Sequence, residues 1–165
     1  MENTNSYSYT SLKLSKEEES LTLTDFSLID ALELGRIATL IGLSRKLPIA
    51  IEIRIGDWMV YHASLPGSTF ENQEWIDRKA RVVILKKHST LFERIKAQEL
   101  GTDWHQIHNL KVETHAIHGG GLPINTLQNG FVGALLLSGL SQIEDHILGV
   151  EILTEFISNR GRTIE

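Results

Sequence analysis

The chain predicts an α/β domain of the α+β type, with helices packed on a mainly antiparallel sheet, and three observations carry that expectation. Ile49, Ile51, Ile53 and Ile55 alternate with Ala50, Glu52 and Arg54, the two-residue period of a strand with one buried face. The apolar run from Phe131 to Leu137 is continuous, which suits a central strand covered on both faces. The strand patterns are not regularly separated by helical ones, as crossovers in a parallel sheet would require.

From the N-terminus, residues 1–22 are rich in Ser, Thr, Asn and Glu, have no clear period, and read as a loose polar extension. Helical order is expected to begin after it. Thr24 or Asp25 can cap a helix in which Phe26, Ile29, Leu34, Ile37, Leu40 and Ile41 form one apolar stripe. Asp30 and Glu33 fall in the same sector, so each needs an edge position, a partner or a site. Pro48 ends the connection, the isoleucine strand follows, and Gly56-Asp57 turns the chain into a second hairpin arm, Trp58 to His62. Pro66 and Gly67 lead to a helix over about 71–85, with Trp75, Lys79 and Val82 on related turns, and a second helix over about 90–100 stops at Gly101. Residues 103–109 suggest a turn or short helix, and Lys111 to Ile117 a strand. The glycine loop follows, Asn129-Gly130 makes a tight turn, and the apolar strand leads to a last helix. There Ser141 and Glu144 form a capping-box pattern and Ile143, Ile147, Val150 and Ile157 continue the buried side. Residues 23–160 are thus expected to form one domain, with 161–165 as a C-terminal tail.

Composition narrows the function classes. The 165 residues carry a net charge of −5, with 41% hydrophobic and 22% charged residues, as expected of a single soluble domain and against general affinity for nucleic acid or an anionic membrane. The basic segment Arg78-Lys79-Ala80-Arg81, with Lys86-Lys87 after it, reads as a solvated helix face. There is no cysteine, which removes disulfides, thiolate metal sites and cysteine nucleophiles together. No secretory signal or membrane-spanning run is evident, so a cytoplasmic location is expected.

Gly119, Gly120 and Gly121 permit positive φ and close backbone approach, and their N–H groups could cradle an anionic oxygen. No Lys-Ser/Thr pair follows and Pro123 blocks immediate continuation into a helix, so the loop is neither a phosphate-binding P-loop nor a dinucleotide fingerprint. The seven histidines show no metal-binding spacing: His115 and His118 point to opposite faces of a regular strand, and His105 and His108 share a face only on a helix. No metal site is expected. Ser138, Asp145 and His146 contain the residue types of a hydrolytic triad, but Ser138 lacks the glycine two positions before it that a nucleophile elbow needs. Asp145 and His146 are also adjacent on a helix, which turns them apart.

Gly119-Gly120-Gly121-Leu122-Pro123-Ile124, then Gly133 to Leu140 and Glu144-Asp145-His146, resemble the haem-degrading-domain superfamily, and within it the UPF0303 branch most. Leu34-Gly35, Gly67-Ser68-Thr69, Asn72, Trp75-Ile76 and Arg78-Lys79 extend the resemblance over about residues 23–158. It implies a profilin-like domain with a central antiparallel sheet flanked by helices, and assembly into homo-oligomers. Members of the wider group differ in function, so the resemblance transfers no single activity. Three expectations stay open. The first is a homo-oligomeric protein binding a small anionic ligand, with haem or a related tetrapyrrole as the named cofactor. Its site would comprise His118, Gly119, Gly120, Gly121, Pro123, Ser138, Gly139, Asp145 and His146, with His118 ahead of His146 as haem ligand. The second is a non-catalytic oligomeric scaffold or chaperone adaptor. The third is an enzyme acting on a small oxyacid, with His118 or His146 as acid or base.

Overall fold

A computed structural model describes residues 9–160, so the expected tail at 161–165 lies outside the described residues. The elements are α1 (Ser11–Ser20), α2 (Leu28–Ser44), β1 (Ala50–Ile55), β2 (Trp58–Ser64), α3 (Phe70–Lys86), α4 (Thr90–Leu100), α5 (Trp104–His108), β3 (Gly121–Thr126), β4 (Gly130–Ser138) and α6 (Gln142–Arg160). The four strands pair antiparallel in the order β2-β1-β4-β3. The expected α+β class and central antiparallel sheet are therefore present.

The period of two in β1 sorts its residues between layers. Ile49, Ile51 and Ile53 join Leu135 and Leu137 of β4 under α2 and α6, where Leu34, Ile37, Ile152 and Phe156 complete the main core. Ala50, Ala134 and Leu136 face the other way, onto Ile76, Ala80 and Val83 of α3. Each large aliphatic side chain buried this way contributes about 1.5–3 kcal/mol. The continuous apolar run of β4 thus reflects two covered faces. No helix among the described residues is long and apolar enough to cross a membrane.

Five expectations need correction. Helical order does not wait for residue 22: Ser11–Ser20 is a helix, with Thr10 Oγ accepting from Lys13 N. Its sequence shows no apolar period because a single side chain, Leu14, is buried, and the rest of its anchoring is polar. Glu18 accepts from Ser89 N at the start of α4 and from His88 Nδ1, both at 2.8 Å.

The cap of α2 is Ser27 rather than Thr24 or Asp25, and Asp30 sits at the third helical position, accepting from Ser27 N at 2.8 Å. The buried face of α2 also differs from the expected stripe. It includes Ala31, Gly35, Ala38 and Gly42, while Ile29 and Leu40 are exposed. Size decides the matter: a Cβ at Gly35 would stand 2.5 Å from the Tyr61 ring and one at Gly42 2.4 Å from Leu65. Small residues let α2 approach the sheet closely; Leu34 and Ile37 of the expected stripe are buried beside them, while Ile29 and Leu40 stay outside.

Lys111 to Ile117 is not a strand. Its carbonyls are taken by α3, with Arg78 donating to Val112 O and Arg81 Nη1 to Thr114 O at 3.0 Å. The third strand lies further on, so Gly121 and Pro123 belong to edge strand β3 rather than to a loop. Leu137 N donates to Gly120 O at 2.9 Å. With Pro123 opposite Ala134, the ladder's alternation puts Pro123 at a non-hydrogen-bonded position, where the missing N–H costs nothing.

Candidate functional site

Four segments converge where β4 ends and α6 begins. The first turns of α3 bring Asn72, Trp75 and Lys79; the stretch before β3 brings His118; the β4–α6 junction brings Ser138, Gly139 and Leu140; and α6 supplies Gln142 and Asp145. Together with Glu71 they line a cavity of about 330 Å³.

Lys79 is the most constrained of these residues. At 2% exposure it donates to Leu137 O at 2.8 Å and to Asp145 Oδ2 at 3.2 Å. Burial pulls its ammonium below the ordinary lysine range, and the attraction of Asp145 opposes that. Burial likewise pushes Asp145 up, against the pull of Lys79 and of the amides of Leu140 and Gly139. Asp145 Oδ1 accepts from Leu140 N at 3.1 Å, so one carboxylate ties the strand end, the helix start and α3 together.

The glycines make that approach possible. Gly120 has φ +118°, and a Cβ there would lie 2.6 Å from Leu137 O and 2.7 Å from Lys79 Nζ. At Gly119 a Cβ would meet Gln142 O at 2.2 Å. Two of the three amides are already engaged: Gly119 N donates to Gln142 Oε1 at 3.4 Å and Gly121 N to Thr90 Oγ1 at 3.1 Å. The triplet packs a strand entry against α6 and Lys79 instead of holding out three donors.

Of the residues expected to form a site, His118, Ser138, Gly139 and Asp145 line the cavity. Gly119 and Gly120 back it, whereas Gly121 and Pro123 continue into β3. His146 is turned away: its Nε2 donates to Glu17 Oε1 of α1 at 2.7 Å, and its ring meets Tyr9 edge-on. Ser138 Oγ is occupied by Asn72 Nδ2 at 3.3 Å and Asp145 by Lys79, which leaves the three triad residue types unconnected. Among the described residues no group of three His, Asp or Glu gathers as a metal site.

The expectation that Lys79 sits on a solvated face is corrected by its burial. The signal lay in its phase: Ile76 and Val83, three before and four after, are both fully buried, which places Lys79 on the inner face of α3. Trp75 meets His118 edge-to-face at 4.7 Å, with the Arg78 guanidinium 4.2 Å from its ring. The first contact joins segments about forty residues apart, which no local pattern announces; the second is between neighbouring turns of α3.

Comparison with known proteins bears on this geometry. The family described as haem-degrading protein HbpS-like matches residues 26–154. UPF0303 proteins of Streptomyces avermitilis and Streptomyces coelicolor are 38% and 36% identical over 146 and 145 residues, covering 88% of this chain and 90% and 92% of theirs. Among solved structures, the Ybr137w protein superposes with a TM-score of 0.82 at 25% identity, over 90% of this chain and 88% of that one. A PduOC:haem complex gives 0.66 at 19% identity over 79% of this chain and 94% of the other, a likeness of fold.

Proposed function

This chain belongs to the HbpS-like family of haem-degrading proteins, and from that premise we propose that it binds a small ligand, receiving an anionic group beside Lys79 and His118. The buried Lys79 carries the reading. Two of its three N–H donors are used, and its counter-ion Asp145 is shared with two backbone amides. The first turn of the 19-residue α6 meets the same space. A helix start adds partial positive charge, so the cavity favours a small carboxylate over a neutral group of the same size.

The test is calorimetric titration with a panel of small mono- and dicarboxylates and inorganic phosphate, using the corresponding amides as neutral controls. Saturable binding of a carboxylate, weakened about tenfold or more by His118→Ala or Gln142→Ala, supports the reading. Equal affinity for an acid and its amide, or no binding across the panel, refutes it.

Haem is the second reading, favoured by an imidazole on the cavity wall and by the likeness to a haem complex. The cavity does not fit an enclosed macrocycle. Only Trp75 and Leu140 give it apolar wall, too little to cover the faces of a porphyrin. Titration with haem, followed by absorption, separates the two readings. A Soret shift lost in His118→Ala but kept in His146→Ala supports haem at this cavity; equal shifts in wild type and both variants exclude it.

Self-association completes the reading, with a second copy as the occupant of the outer face of α2. Ile29, Leu32, Leu40 and Leu43 are each about half exposed or more and lie along one stripe around Arg36, whose guanidinium is neutralised by Glu33 on the same helix. Light scattering of the purified protein gives the assembly state directly.

A further inference from the structure

A second cavity, of about 390 Å³, opens between the C-terminal end of α3, α4 and α5, and shares no lining residue with the first. Its floor is aromatic. Phe92 and Trp104 are 6% and 3% exposed; His88 stacks on Phe92 with centroids 4.1 Å apart, and His108 lies tilted over Trp104 at 4.5 Å. The buried Glu93 accepts the indole N–H at 2.8 Å and so fixes the larger ring.

The rest of the lining includes two cations. His108 Nδ1 donates to Trp104 O at 2.7 Å, which leaves Nε2 as an acceptor for Lys86 Nζ at 3.1 Å. The neutral imidazole holds the ammonium in place without cancelling its charge. Lys96 Nζ stands 5.5 Å from the Phe92 ring centroid, within reach of the ring's negative face. Neither lysine forms an ion pair with a carboxylate among the described residues.

We propose that this cavity binds a small aromatic carboxylate, its ring against the Phe92–Trp104 floor and its carboxylate at Lys86 and Lys96. An aromatic ring gains offset or edge contacts with the fixed rings that a saturated ring of similar area does not. The anionic group meets two ammoniums that have no other counter-ion in contact. The site is independent of the first cavity and of any ligand there.

Calorimetric titration of the full chain with benzoate and 2-naphthoate tests the assignment, with cyclohexanecarboxylate and benzamide as controls. Lys96 is exposed and Lys86 half-buried at the end of α3; neither is in an ion pair among the described residues, so Lys86→Met and Lys96→Met keep the fold, as circular dichroism would verify. Binding of the aromatic acids in preference to both controls, weakened at least about fivefold in each lysine variant and unchanged in His118→Ala, is the expected result. Absence of binding, equal affinity for the saturated acid, indifference to both lysine substitutions, or loss in His118→Ala each overturns the proposal. The last outcome would place the probes in the first cavity.

Discussion

At the residue scale, the contact between Lys79 and Asp145 is the one whose loss costs most. Replacing Lys79 with Met leaves Asp145 buried with only backbone donors, and stranding one partner of a buried ion pair costs about 3–5 kcal/mol. Lys79→Met is therefore expected to lower the urea midpoint strongly, and Lys79→Met/Asp145→Asn to recover a good part of the loss, because the uncompensated charge is gone while an acceptor for Leu140 N remains. A double variant no more stable than the single one would show that the pair acts through packing alone. Gly120→Ala tests the same junction from the backbone side, since the added methyl meets Leu137 O and Lys79 Nζ at a positive φ; about 2–4 kcal/mol is the expected cost in the same denaturation experiment. The sequence displays these residues unevenly. Three consecutive glycines are visible and correctly suggest close approach, but what approaches them is a lysine forty residues earlier, hidden in a basic run that resembles a solvated face. His118 and His146 flank recognisable motifs equally well, but with Asp145 on the cavity wall the helix phase turns His146 away from it, onto Glu17 of α1.

At the scale of elements, α1 is held on by carboxylates, so its attachment depends on pH. The His88 pKa is raised chiefly by its hydrogen bond to Glu18, with Glu18 and Glu93 adding charge attraction against partial burial and the repulsion of Lys96. A histidine whose folded value exceeds the unfolded one, about 6.5, stabilises the fold fully below that value and loses the contribution as pH rises through the folded value. Protection of the α1 amides, measured against their intrinsic exchange rates at each pH, should accordingly fall as pH rises above about 6.5, and His88→Gln should flatten that dependence while Ser89 N keeps its bond to Glu18. An unchanged pH profile in His88→Gln would remove the pair from the account. A polar helix anchored this way has no apolar period to detect, which explains why residues 11–20 read as a loose extension. β1 and β4 could be placed from sequence because their periods coincide with the layers they separate. The stretch 111–117 could not, since its backbone partners come from α3.

For the molecule as a whole, α2 decides what is left exposed. Burying its small residues against β2 brings helix and sheet together, and it leaves Ile29, Leu32, Leu40 and Leu43 outward at steps that span one narrow arc of the helix. The stripe is nearly symmetric about Arg36, with Leu32 four positions before and Leu40 four after, and Ile29 and Leu43 seven to either side. Two copies related by a two-fold axis can therefore lay the stripes antiparallel, Leu32 on the partner's Leu40, with each central Arg36 neutralised by its own Glu33. Because an isologous contact repeats every substitution, Leu32→Glu removes two leucine burials per dimer, about 3 kcal/mol at the low end of a leucine's transfer energy and thus about a hundredfold in Kd. Leu32 is 53% exposed in the single chain, so the substitution should leave the urea midpoint of a dilute sample nearly unchanged while light scattering shows dissociation. Leu40→Glu should act equally, as its symmetric counterpart. If only one of the two dissociated the assembly, the contact would be heterologous and would point toward a ring or filament instead of a closed pair; if neither did, or if the wild type were monomeric, α2 would not be the interface.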